Sequence, residues 1–174
     1  SSAWGSGLVL HQVSVFAAQG HDSTIVASAY GLLAIVNAGV TLFVGRTIHK
    51  FRLSWMMSFQ IMMMILTIAL AMTMNQMWMV YAYAVVFGIV FALGGILDNN
   101  IWAEMFGREH LGAIRGFTAT FLIFGTSSGP WVFGWIYDMF NGYDFILLAG
   151  IVLGMIPMML GLFINKPRAH YPEK

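Results

Sequence analysis

The chain has 174 residues, 59% of them hydrophobic and 9% charged, with a formal net charge of +1. A soluble domain carries about a quarter charged residues, so most of this surface is suited to lipid, and a near-neutral chain offers nucleic acid no basic footprint. There is no cysteine, which excludes a disulfide framework, thiolate chemistry and Cys-based metal sites.

Six apolar segments follow one another. The first, 3–17, is short for a crossing of ~30 Å of hydrocarbon. It reads as a span entered part-way, because the N-terminus has neither an initiator Met nor the basic region of a signal peptide. The chain is therefore expected to be a fragment of a longer one. His11 is the only titratable side chain in this span and stands next to Gln12. His11 is either a cavity contact or proton relay, or it bonds a neighbouring helix. One intramembrane His cannot supply both axial ligands of a haem, so no cofactor and no metal are expected.

Segment 24–44 is the second span. Ser28, Gly31, Ala38 and Gly45 form a small-residue stripe suited to close helix packing. Tyr30, Ala34, Asn37 and Thr41 form another stripe on the same helix. Asn37 is an amide deep in a span, so it faces either a neighbouring helix or a wet cavity that meets substrate. The basic stretch 45–52 follows, with Gly45, Arg46, Lys50 and Arg52. Span three, 53–74, carries a methionine cluster and scattered polar groups such as Gln60 and Thr67. With no Cys or His beside them, the methionines read as soft apolar surface and not as a copper site.

Span four, 78–97, leads into the polar stretch 98–116, read as a turn between two spans. One face of span four carries Tyr81, Gly88, Gly95 and Asp98, with Asn99 beside it. Asp98 is the carboxylate nearest a membrane interior. It is either a proton carrier or gate ion-pair member, or it simply ends the span near Arg46, Arg108 or Arg115. Span five, 117–135, holds Thr126 and Ser127 near its middle, followed by Gly129 and Pro130, a sequence that kinks a helix. Kinked helices often border transport sites. A turn at 138–144, span six at 145–164 and a polar tail at 165–174 complete the chain. Spans three and six, without deep charges, read as peripheral.

The spans are helices because isolated strands cannot satisfy their backbone groups in lipid. All eight Lys and Arg follow spans two, four and six, whereas the turns after spans one, three and five carry only Asp22, Asp138 and Asp144 as charges. The positive-inside rule then orients a multi-pass chain in a plasma (inner) membrane, with the basic turns and the C-terminal tail cytoplasmic. No HExxH, GxSxG or paired intramembrane acids occur, so an enzyme is disfavoured. A secondary transporter and a non-transporting six-span scaffold subunit are the readings left.

Four stretches carry a family likeness. LVLHQVSVFAAQG (8–20) resembles the end of the seventh span and its outer turn in major facilitator superfamily transporters. VGRTIHKFR (44–52) resembles their basic loop between spans eight and nine, with His49 where that loop usually has Asp. AEMFGREHLGAIRG (103–116) resembles the loop between spans ten and eleven, and GPWVFGWIYD (129–138) the outer half of span eleven. The likeness covers essentially the whole chain. It is to the monocarboxylate-transporter-like branch that includes the bacterial oxalate/formate exchangers. The resemblance implies an all-α polytopic membrane protein, a six-helix transmembrane bundle that is one half of the fold. Residues 1–174 would be its C-terminal half, spans seven to twelve, partnered by the missing N-terminal half of the same chain and by the lipid bilayer. It also implies alternating access for a small-molecule substrate, such as a small organic anion, with proton coupling. The site walls would be spans one, two, four and five, with His11, Gln12, Tyr30, Asn37, Asn99, Thr126 and Ser127 as cavity residues. Spans two and five contain no basic residue, so the charge that binds an anion is either in the other half or absent.

Overall fold

The computed structural model describes residues 2–20, 22–107 and 110–163. They form α1 (Ser2–Ala18), α2 (Ser23–Thr47), a single 3₁₀ turn (Ile48–Lys50), α3 (Leu53–Met72), α4 (Met77–Phe106), α5 (Leu111–Phe140) and α6 (Asp144–Phe163). The described residues contain no strand, and the all-α six-helix bundle is as expected. The tail 165–174 and Arg108 lie outside the described residues.

The polar stretch 98–116 is not one turn. α4 continues to Phe106 and α5 begins at Leu111, so only four residues separate two 30-residue helices, each about 45 Å long. Charge ends the apolar run but not the helix, because a helix can leave the hydrocarbon and continue among headgroups and water. Asn99 and Asn100 donate their side-chain amides to Gly95 O and Ile96 O, one turn back on their own helix, at 2.8 and 2.7 Å. The break itself comes at Gly107, whose φ of 75° lies in the left-handed half of backbone space.

Among the described residues, three helical stretches can cross a membrane by length and composition: Thr24–Thr47, Leu53–Met72 and Met77–Ala103. α1 has 17 residues, and Asp144–Leu160 is a shorter apolar helix. α5 is long enough, but its middle is diluted by Thr126, Ser127, Ser128 and Pro130. That polar insert suits a helix flanked by protein or water on one side.

The helices pair as α3 with α6, α2 with α4, α1 with α5 and α3 with α4. If each helix is exchanged for the one three places away, α2·α4 becomes α1·α5 and α3·α6 maps onto itself. These pairings are those of two three-helix repeats related by a pseudo-two-fold, but the match is partial, because α3·α4 has no equally extensive counterpart in α1·α6. Glycines set the closest approaches. A Cβ on Gly88 of α4 would lie 2.9 Å from Leu33 O of α2. At Gly129 of α5 it would run into Ala3 O of α1, and at Gly150 of α6 into the Trp4 indole of α1. Trp4 Nε1 also donates to Ile146 O at 3.2 Å, binding α1 to α6. The main core lies among these helices, around Phe16, Tyr83, Phe87, Phe133, Ile146 and Leu147. Phe16 meets Tyr83 edge-on at 5.3 Å.

Of the small-residue stripe of α2, Ser28 meets α4, its hydroxyl 3.2 Å from Tyr81 Oη, but the rest does not pack as expected. Gly31, Ala38 and Gly45 are exposed, and a Cβ on either glycine would meet nothing within 4 Å. α2 packs on α4 through the side bearing Leu33 and Val36. A small-residue face fits close packing, but it also fits a cavity or a second bundle, and sequence alone does not separate these.

Candidate functional site

A cavity of about 640 Å³, the main one among the described residues, opens between α1, α3, α4 and α5. Drug-sized ligands occupy pockets of about 300–1,000 Å³. Most of its wall is apolar, from Val9, Met64, Phe87, Val90, Leu97 and Ile101. The polar groups on it are few: Ser6 of α1, Gln60 of α3, Asp98 and Trp102 of α4, and Thr126 of α5. Few polar groups on an apolar wall are what fixes the orientation of a small ligand.

Local sequence explains each placement. Gly94 and Asp98 are four residues apart and so share a face of α4. Because Gly94 has no side chain, Gln60 reaches past it; a Cβ there would lie 2.9 Å from Gln60 Nε2. α3 is therefore a wall of the cavity, a correction to the expectation that it is peripheral. Gln60 is the residue that sequence reasoning missed. An amide in an apolar span was the available signal, the same one that drew attention to Asn37.

Asp98 also borders a second cavity of about 280 Å³, with Asn99, Trp102, Arg115 and Thr118. Trp102 Nε1 points at Asp98 Oδ1 at 3.5 Å, a long contact. Arg115 Nη2 donates to Asn99 Oδ1 at 2.8 Å and to Asn99 O at 3.3 Å. Arg115 thus clamps the end of α5 to α4 and places a guanidinium beside the carboxylate-bearing turn. A guanidinium has five N–H donors, so the clamp leaves donors for a further anion.

His11 is engaged by other helices. Its Nε2 lies 3.1 Å from Pro130 O and its Nδ1 lies 3.1 Å from Tyr143 Oη. A carbonyl only accepts, so Nε2 carries the proton, and in the neutral ring Nδ1 accepts from the Tyr143 hydroxyl. The ring also stacks on Phe133, with centroids 5.9 Å apart. His11 therefore ties α1 to α5 and to the turn before α6.

Gln12 is 1% exposed, and neither end of its amide has a hydrogen-bond partner. The buried Tyr83 hydroxyl is likewise unpartnered. Each such group costs about 1–3 kcal/mol of desolvation. Tyr30 donates its hydroxyl to Val9 O at 3.0 Å, tying α2 to α1. Asn37 is half-buried and accepts from Thr41 at 3.4 Å, within its own helix. Thr126 bonds Leu122 O and Ile123 O of its own turn, both at 3.0 Å, and Ser127 is exposed. α5 runs on as helix through Pro130, and Gly129 is its contact with α1. In the loop segment, Gly45 and Arg46 are exposed at the end of α2, and Lys50 lines a separate groove.

Of the residues singled out by sequence, Asp98 and Thr126 line the main cavity and Asn99 the smaller one. His11, Gln12, Tyr30, Asn37 and Ser127 are not among the residues lining either. Comparison with known families gives a match of residues 2–174 to the family described as the Major Facilitator Superfamily. Comparison with curated proteins gives no match.

Proposed function

Because the chain belongs to the Major Facilitator Superfamily, and is thereby a secondary membrane transporter, we propose that it moves a small organic anion such as a monocarboxylate by alternating access, coupled to a proton on Asp98. The observation that carries this reading is the pair of adjoining cavities with Asp98 on both walls and Arg115 in the smaller one. The substrate carboxylate pairs with the guanidinium donors left over from the Asn99 clamp. On this reading the anion-binding charge is at the start of α5 and not, as the sequence suggested, in the other half or absent. Two carboxylates about 5 Å apart repel by ~3 kcal/mol at an effective dielectric of 20. A proton on Asp98 Oδ removes that repulsion, so proton and anion load together and leave together. Gln60, Ser6 and Thr126 then orient the rest of the solute against the apolar wall.

The six helices serve as the C-terminal bundle of a pair that rocks about the site. The repeat-related pairings and the exposed small-residue face of α2 support this. The scaffold alternative has no observation in its favour. Liposomes holding the full transporter are expected to accumulate a labelled monocarboxylate when the outside is made acidic, and not when a protonophore collapses the gradient. Uptake indifferent to both would overturn the coupling and, with it, the assigned role of Asp98.

The basic turns are cytoplasmic on this reading. Asn141→Cys is expected to react with an impermeant thiol reagent on intact cells, and His110→Cys only after permeabilisation. The reverse pattern would invert the orientation.

A further inference from the structure

On the other side of α3 and α4 from the main cavity, a groove of about 550 Å³ runs between α2, α3 and α4 at their basic end. We infer that this groove is a binding site for an anionic glycerophospholipid, with its phosphate at Lys50 and Arg52 and an acyl chain along Trp55, Phe59 and Leu93.

Three features converge there. The wall is overwhelmingly apolar, and its aromatic side chains Phe51, Trp55 and Phe59 are all large and exposed, at 55%, 63% and 45%. Such a surface in water would be a liability, whereas against an acyl chain it is covered. Two cations, Lys50 and Arg52, stand at its mouth, both exposed. Neither forms an ion pair with a carboxylate among the described residues. The third feature is the start of α3. Arg52 is its N-cap residue and supplies no side-chain cap to this 20-residue helix. A helix N-terminus favours an anion. Two fixed positive charges, an uncapped helix end and an apolar trough match a phosphodiester attached to hydrocarbon.

A free inorganic anion would use the cations but not the trough. A neutral lipid would use the trough but not the cations. Trp55 sits near the end of α3, where indoles mark the headgroup level. The basic end faces the anionic cytoplasmic leaflet on the orientation proposed above.

Native mass spectrometry of the delipidated protein in detergent tests the site, using phosphatidylglycerol and phosphatidylcholine with identical chains. The expected result is retention of phosphatidylglycerol about thirtyfold over phosphatidylcholine, the preference two juxtamembrane cations confer. Lys50→Gln with Arg52→Gln should bring the ratio close to one. Lys50→Arg with Arg52→Lys should keep it, which separates charge from misfolding. Trp55→Ala with Phe59→Ala should weaken both lipids together. Glycerophosphoglycerol, the headgroup without chains, should compete poorly. Persistence of the preference in the double glutamine variant would overturn the site. So would competition by the bare headgroup as effective as by the intact lipid.

Discussion

Gly129→Val is expected to leave little folded protein in the membrane. The added Cβ would meet Ala3 O and would lie 2.8 Å from Ala3 C and 2.7 Å from Ser6 Oγ. Ser6 can rotate away, but the backbone of α1 cannot. Overpacking a tight core costs about 1–3 kcal/mol where side chains can yield, and a clash with backbone belongs at or above the top of that range. α1 and α5 would be forced apart along the contact that also brings Ser6 and Thr126 to the cavity. The matched control is Gly39→Ala on α2, outside the small-residue stripe, where nothing lies within 4 Å of the new Cβ. Replacing a mid-helix glycine there should stabilise by roughly 0.5–1 kcal/mol. Thermal unfolding of the purified variants in detergent separates them, and a Gly129→Val melting temperature equal to that of the parent would mean that α1 and α5 do not pack as described.

Asp98→Asn is expected to abolish accumulation driven by a pH gradient, by at least about tenfold, while anion exchange across the same membrane persists. The amide is close in size and shape to the carboxylic acid but can neither take up nor release the proton. It relieves the repulsion of about 3 kcal/mol permanently, so the anion still enters and net transport loses its coupling. On the proposed coupling, uptake by the parent should fall as pH rises. The asparagine variant should show a flat profile. Counterflow and pH-jump uptake, measured on the same proteoliposomes, give the two halves of this result. An unchanged pH dependence in the variant would reduce Asp98 to a polar residue at the end of a crossing.

The six helices were legible because each crossing must be an unbroken apolar run, and such runs are visible without tertiary information. Helix ends were less so. Asp98 to Phe106 is polar enough to suggest a turn, yet a helix backbone satisfies itself beyond the hydrocarbon, and only the positive φ at Gly107 stops it. The role of Gln60 was hidden because it depends on Gly94, a residue of another helix. A stripe of small residues marks close approach only if a neighbour arrives, and on α2 none reaches Gly31 or Gly45 within this bundle. His11 and Tyr30 were identified as polar groups that need partners. Which partners they have, Pro130 with Tyr143 and Val9, is decided by the pairing of α1 with α5 and of α1 with α2.

The order in which helices pair bears on how the chain is made. Among neighbours in sequence, only α3 and α4 pair extensively; α1 waits for α5, and α2 for α4. His11 finds its Pro130 carbonyl 119 residues downstream. At synthesis rates of about 5–20 residues per second, that is a delay of roughly 6–24 s. Throughout it, an imidazole and an amide sit in a newly inserted helix without their final surroundings. The bundle therefore cannot close as successive hairpins leave the ribosome. Its first helix must be held at the insertion machinery, or tolerated in lipid with water drawn to His11 and Gln12, until the fifth arrives.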